Sequence, residues 1–151
     1  MATRGIIAVE RASGWRGRYV HWDNYPDRIV GVLGALVERD GLTKVVTTLV
    51  NDNASWSVID HNQDFDPIAD PKNVRVGYGV VHDDIDKDSD DAWYTEETGA
   101  YSWAEYAYVM RANGVSVYAI QGDPETLKHI ATYTWEEAKN YRPSEYWQPS
   151  K

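Results

Sequence analysis

His21 and Asp23 stand two residues apart in the run Tyr19-Val20-His21-Trp22-Asp23. In an extended strand that spacing puts Tyr19, His21 and Asp23 on one face. Tyr25 follows just before an apolar helical pattern. Histidine can serve as a general base, and aspartate can orient it. The same pair can also ligate a metal or hydrogen-bond a ligand. A structural use competes with these: Asp23 caps the helix, while His21 and Tyr25 lock the corner between strand and helix. His82-Asp83-Asp84 closes a second strand-like run. If the two strands were neighbours, His21, Asp23, His82 and Asp84 would offer a mixed nitrogen and oxygen donor set. Tyr19, His21, Asp23, Tyr25 and His82 are therefore the candidate ligand-binding residues.

The Asp-rich stretch after His82 offers a different chemistry. Asp86, Asp88 and Asp90 fall at positions 1, 3 and 5 of a calcium-loop pattern, with Glu97 at position 12. Position 6 requires glycine and holds Asp91, and a strand-like run precedes the loop where an EF-hand has a helix. Calcium through Asp86, Asp88, Asp90 and Glu97 is an expectation that competes with a plain solvated acidic loop. No other cofactor is expected. The chain lacks a phosphate-binding glycine loop and a G-x-S-x-G elbow, and its serines have no adjacent base pattern. It has no cysteine, so a thiol nucleophile, a thiolate zinc site and a disulfide framework are excluded.

These residues need elements to position them. Thr3 to Glu10 reads as a strand, Ser13-Gly14 and Gly17 as a turn, and Arg18 to Trp22 as the returning strand of a hairpin. Tyr25-Pro26-Asp27 opens a helix, whose stripe is Ile29, Val30, Val32, Leu33, Leu36 and Val37 and whose terminator is Gly41. Gly31 and Gly34 inside it imply close packing against a neighbour. Leu42 to Val50 suits a second helix or a strand, and its non-alternating hydrophobic spacing favours the helix; Asn51 to Asn73 reads as irregular. Val74 to His82 reads as one strand with Val74, Val76, Tyr78, Val80 and His82 on a shared face. Ala104 to Gln121 reads as a hairpin turning at Asn113-Gly114, which pairs Met110 with Val117, Tyr108 with Ala119 and Val109 with Tyr118. Asp123-Pro124-Glu125 opens a helix towards Ile130, one that would carry His129. Thr134-Trp135-Glu136-Glu137 is a capping box for a last helix, and residues 143–151 read as a polar tail, either frayed or docked by Tyr146 and Trp147. The fold class is α+β: a single domain over residues 1–151, with a mixed or antiparallel sheet packed by two to four helices.

Composition narrows the partners. With 151 residues, 42% of them hydrophobic, and a net charge of −9, the chain has the material for a packed core and opposes direct nucleic-acid binding. The apolar run Ile6–Val9 is too short for a signal peptide's apolar region or a membrane span, so a cytosolic protein without membrane association is expected. Seven Trp and eleven Tyr against one Phe supply flat surfaces for interfaces as well as for the core. Aromatic faces stack on nucleobases, and Arg16, Arg18 or Arg75 would be placed to meet phosphates.

The stretch Gly17-Arg18-Tyr19-Val20-His21-Trp22-Asp23-Asn24-Tyr25-Pro26 resembles a signature of small uncharacterised bacteriophage and prophage proteins. In that family a tyrosine-x-histidine-tryptophan-aspartate-glycine-tyrosine run follows a basic turn and precedes an apolar helix. Glu105-Tyr106-Ala107-Tyr108-Val109-Met110-Arg111 is similar to the aromatic hairpin strand of the same proteins. Asn24 stands where the family more often has Gly, and Asn is the next-best residue for a left-handed turn. The resemblance implies a phage accessory protein in the host cell cytoplasm and implies no activity. Three functions follow as expectations. The first is non-catalytic binding of a host protein or of a small ligand, such as a defence-signalling nucleotide. The second is metal-dependent hydrolysis by the His and Asp residues at the strand ends. The third is acidic DNA mimicry, which the concentration of carboxylates in one loop disfavours.

Overall fold

The computed structural model describes residues 3–62, 71–82, 86–96, 104–122 and 125–141. Strands β1 (Gly5–Glu10) and β2 (Trp15–Val20) form the expected antiparallel hairpin. Its turn closes through the Arg11 N–H on Gly14 O, and Gly17 lies inside β2 opposite Ala8 rather than in the turn. Helix α1 (Pro26–Asp40) starts with Pro26 and stops at Gly41, whose φ of 85° suits glycine. Gly34 lets α1 approach the backbone of a C-terminal helix α3 (Trp135–Lys139) at Ala138 and Lys139. The expected helix after Gly41 is α2 (Leu42–Val46), continued by a π-helical turn, Thr47–Asn51.

Further strands are β3 (Ser55–Ile59), β4 (Val74–Arg75), β5 (Gly79–Val81), β6 (Tyr94–Thr95), β7 (Tyr106–Arg111), β8 (Gly114–Gln121) and β9 (Thr126–Thr134). All nine strands join one mixed sheet in the order β4-β5-β3-β2-β1-β7-β8-β9, with β6 pairing β2 beyond the end of β3. The pairs β1–β7 and β2–β3 are parallel and the others antiparallel. The fold is therefore α+β, with α1, α2 and α3 contributing to a core against one sheet face. Ile29, Leu33 and Leu36 of α1 meet Ile7, Val20, Trp56, Val81, Tyr108 and Val117 there. A smaller cluster of Ile6, Ala8, Trp15, Ala104, Ala107 and Val109 covers the other face. Among the described residues no helix is long and apolar enough to cross a membrane.

Four expectations about elements are corrected. The segment read as irregular contains β3, whose Trp56 is fully buried and donates its indole N–H to Leu49 O. Val74–His82 is a tight turn-back rather than one strand: Gly77 at φ 80° breaks it, leaving Val76 73% exposed while Tyr78 is buried. The β7–β8 hairpin turns at Ala112-Asn113, so Met110 pairs with Val115, Tyr108 with Val117 and Val109 with Ser116. Gly114 serves close approach instead of the turn, since a Cβ there would strike the Tyr133 carbonyl of β9. Finally, the expected helix towards Ile130 is strand β9. Its Thr126, Ile130, Thr132 and Thr134 are β-branched, and edge pairing with β8 satisfies the backbone. The capping box at Thr134 is formed: its hydroxyl accepts from Glu137 N–H, and the Glu137 carboxylate accepts from Thr134 N–H. Asp83, Asp84, Glu97, Asp123, Pro124 and the tail from Arg142 onward lie outside the described residues.

Candidate functional site

The sheet order brings His21 and His82 together. β3 lies between β2 and β5, and it holds the chain just past each: His21 N–H donates to Trp56 O, Trp22 N–H to Ser57 O, and His82 N–H to Ser55 O. Val20, Trp56 and Val81 point to the α1 core. Alternation therefore sends Tyr19, Ser57 and His82 to the opposite face.

On that face the two imidazoles stack, with centroids 4.8 Å apart and planes 12° from parallel. The Tyr19 hydroxyl is 2.8 Å from His21 Nδ1, and Ser57 Oγ is 3.1 Å from His82 Nδ1. Which partner donates depends on the tautomer of each ring. Tyr19 tilts against both rings, and Trp22 meets His21 edge-on at 4.6 Å. Trp22 is 46% exposed, while Tyr19, His21, Ser57 and His82 are half-buried. The result is a shallow aromatic face with hydrogen-bonding heads, suited to stacking and polar recognition.

Asp23 and Tyr25 leave this face. Asp23 is the non-glycine residue with positive φ among the described residues, at 56°, and its short polar side chain tolerates that left-handed turn. It does not cap α1: the N-cap position is Tyr25, which makes no side-chain cap bond. The left-handed residue expected at Asn24 is therefore one position earlier, and Asn24 is fully buried. Tyr25 instead lines a separate cavity with Thr3, Pro26, Asp27, Glu105 and Tyr106. Burial, and then the charge of Asp23, pushes the Tyr25 phenol upward.

The acidic loop is organised by hydrogen bonds within the chain. Asp86 Oδ1 accepts from Asp88 N–H at 2.9 Å, and Ser89 Oγ caps the short turn Asp90–Ala92. Among the described residues no three His, Asp or Glu side chains gather as a metal site. Of the expected calcium set, Asp86, Asp88 and Asp90 are described and Glu97 is not.

Arg18 corrects another expectation. It is fully buried and donates to Val50 O, Ala92 O and Lys87 O, with its guanidinium carbon 3.2 Å from the Trp93 ring centroid. Burial, and then the neighbouring Arg16, lowers it to about 10. So placed, it meets backbone rather than phosphate. Arg16 is bonded to Asn51 and Arg75 to Asn53.

Ser57 carries no signal in the sequence, because the pattern around it does not announce a strand. Trp22 stood inside the signature, but nothing in one sequence distinguishes an exposed tryptophan from a buried one. The fold and site thus define an α+β protein with a stacked imidazole pair on the sheet face opposite its main helix. No family model, curated protein or solved structure matches the chain.

Proposed function

We propose that this chain is a non-catalytic binding protein, a phage accessory protein by its signature, and that Tyr19, His21, Trp22, Ser57 and His82 form its recognition face. The occupant is a host protein surface or a small planar ligand such as a nucleotide. One observation carries the reading: an exposed Trp22 stands edge-on to a stacked His21–His82 pair whose Nδ1 atoms sit on Tyr19 and Ser57 hydroxyls. Rings fixed in this way supply stacking area at low entropic cost. A face-to-face imidazole contact carries no proton between the rings, so the pair does not act as a relay.

The Ser57–His82 contact favours a second reading, hydrolysis with Ser57 as nucleophile and His82 as base. Calorimetric titration with adenine and guanine nucleotides, alongside capture of host proteins on the immobilised chain, tests the first reading. Binding that weakens at least tenfold in Trp22→Ala and His21→Ala at unchanged melting temperature supports it. Covalent labelling of Ser57 by a fluorophosphonate, lost in His82→Ala, would replace it with the second.

A further inference from the structure

We propose that Thr132 is an acyl-acceptor site, whose hydroxyl takes the acyl group of an activated ester with His129 as base. The site is built by a bulge in β9. Val117 pairs with Ala131 but Tyr118 pairs with His129, so Ile130 is an extra residue between them. Residues three apart in a regular strand point to opposite faces. The extra residue puts His129 and Thr132 on one face, with His129 Nε2 2.7 Å from Thr132 Oγ1. Bulges are common beside active sites, where they re-aim a side chain. Both residues are exposed, so a carrier of the acyl group can reach them. Strands β1, β7 and β8 separate β9 from β2 and its histidine.

Arg111 sets the direction of the protons. A guanidinium only donates. Arg111 Nε donates to Ser116 Oγ at 2.9 Å, Nη1 to Glu10 at 2.6 Å and Nη2 to the Tyr118 hydroxyl at 3.1 Å. Ser116 is 4% exposed, and among the described residues its other side-chain partner is Thr132 Oγ1 at 3.2 Å. A buried hydroxyl hydrogen needs an acceptor, so Ser116 donates to Thr132. Thr132 then turns its own hydrogen to His129 Nε2, which holds His129 as the Nδ1–H tautomer. In that arrangement a neutral imidazole can withdraw the proton from a nucleophilic hydroxyl. Thr126 on the same strand is the contrast: its hydroxyl donates to Gln121 O, and a backbone carbonyl is no base.

In the transfer, Thr132 Oγ attacks the acyl carbon while His129 takes the hydroxyl proton. The bond formed joins Thr132 Oγ to the acyl carbon. The bond from that carbon to the leaving alcohol's oxygen breaks, and His129 returns its proton to that oxygen. Nothing is oxidised or reduced. The Ser116 O–H, aimed by Arg111, stays on the attacking oxygen and stabilises the negative charge it develops. The acyl group ends on the chain itself, so the step adds a covalent modification to a binding protein.

The test is reaction of the folded chain with p-nitrophenyl acetate, followed by mass spectrometry of the peptides holding Thr126, Lys128 and Thr132. Acetylation of Thr132 at least tenfold faster than of Thr126 is expected. Lys128, exposed on the same strand, reports the reactivity of the reagent. His129→Gln keeps a hydrogen-bonding side chain but no base, and it should slow Thr132 at least tenfold relative to Lys128. Ser116→Ala, confirmed as folded by circular dichroism, should lower the same ratio, which a purely structural role would not move. Trp22→Ala should leave the ratio unchanged, which separates this site from the recognition face. Equal labelling of Thr132 and Thr126, an unchanged ratio in folded His129→Gln or Ser116→Ala, or loss of the label in Trp22→Ala would overturn the proposal.

Discussion

Strand β2 sends alternate side chains to opposite faces of the sheet, and the two faces use them differently. Towards the helices, Arg18 is fully buried and spends its donors on three backbone carbonyls from two separate segments. Away from the helices, Tyr19 and His21 stay half-buried and bond to each other, with His82 stacked alongside. The buried cation has distant backbone partners and ties elements together. Among the described residues the aromatic face draws its ring contacts from side chains at neighbouring strand ends. That contrast separates a residue kept for architecture from residues available for recognition, and substitutions on the two faces should divide accordingly.

The largest effect is expected on the helix side. Leu33 is fully buried among Ile29, Leu36 and the sheet. Leu33→Asp places an unpaired carboxylate there, at a cost of about 4 kcal/mol or more, enough to unfold a domain of ordinary stability. Retained near-ultraviolet dichroism and an unchanged melting temperature in this variant would contradict the core described above.

Arg18→Leu comes next. It preserves the apolar stem but leaves Val50, Ala92 and Lys87 carbonyls without their donor and Trp93 with Arg16 alone over its ring. The expected loss is about 2–4 kcal/mol, read as a lower urea midpoint. Amide exchange in residues 86–96 should accelerate first, because Arg18 tethers that loop to β2. An unchanged midpoint would erase the distinction between the two faces.

A titration sharpens the same contrast. Asp40, at the end of α1, is held at about 2 by hydrogen bonds from Arg39 and then Tyr78. Its folded value lies below the ordinary 3.8, so its contribution is fully present above about pH 4 and is lost as pH falls towards 2. The stability gap between wild type and Asp40→Asn should therefore be flat at neutral pH and close across that acid window. A gap that persists unchanged at pH 2 would break the assignment.

Much of this architecture was legible in the sequence, and the exceptions have physical causes. Pro26, the apolar stripe and Gly41 announce α1 because capping and periodicity are local. The first hairpin and the Thr134 capping box are local in the same sense. β3 was hidden because Ser55-Trp56-Ser57-Val58-Ile59 alternates poorly, with both Ser55 and Trp56 buried between neighbouring strands. The sequence before β9 points to a helix because Asp123-Pro124-Glu125 imitates a helix start, whereas pairing with β8 decides the outcome. The hairpin turn shifted by one residue because Gly114 answers to a third strand that no two-strand argument contains. As for the site, His21 and His82 were legible as strand-end histidines, but their meeting depends on β3 lying between their strands. Asp23 and Tyr25 share the signature with His21, yet the positive φ at Asp23 turns the chain away from the imidazole pair.

The smallest stability effects, and the most informative ones, belong to the open side of β2. Trp22 is 46% exposed and its ring meets His21 edge-on. Replacing an exposed side chain typically shifts stability by within about 0.5 kcal/mol, so Trp22→Ala should melt almost as wild type does. His21→Ala removes the hydrogen bond with Tyr19 and ring contacts with His82, Trp22 and Tyr19, which should cost about 1 kcal/mol. Architecture and recognition then make opposite forecasts for the same variants. If the signature is a fold device, ligand capture should fall in step with melting temperature, and Trp22→Ala should be silent in both. If it is a recognition face, Trp22→Ala should lose capture at nearly full stability, and His21→Ala should lose far more binding than its small destabilisation explains. Tyr19→Phe separates the contributions further, since it keeps the ring and deletes the hydroxyl on His21 Nδ1. Binding that survives Tyr19→Phe but not Trp22→Ala would assign recognition to the aromatic surface. Binding lost in both, with melting unchanged, would assign it to the orientation of the His21 ring that the Tyr19 hydroxyl holds.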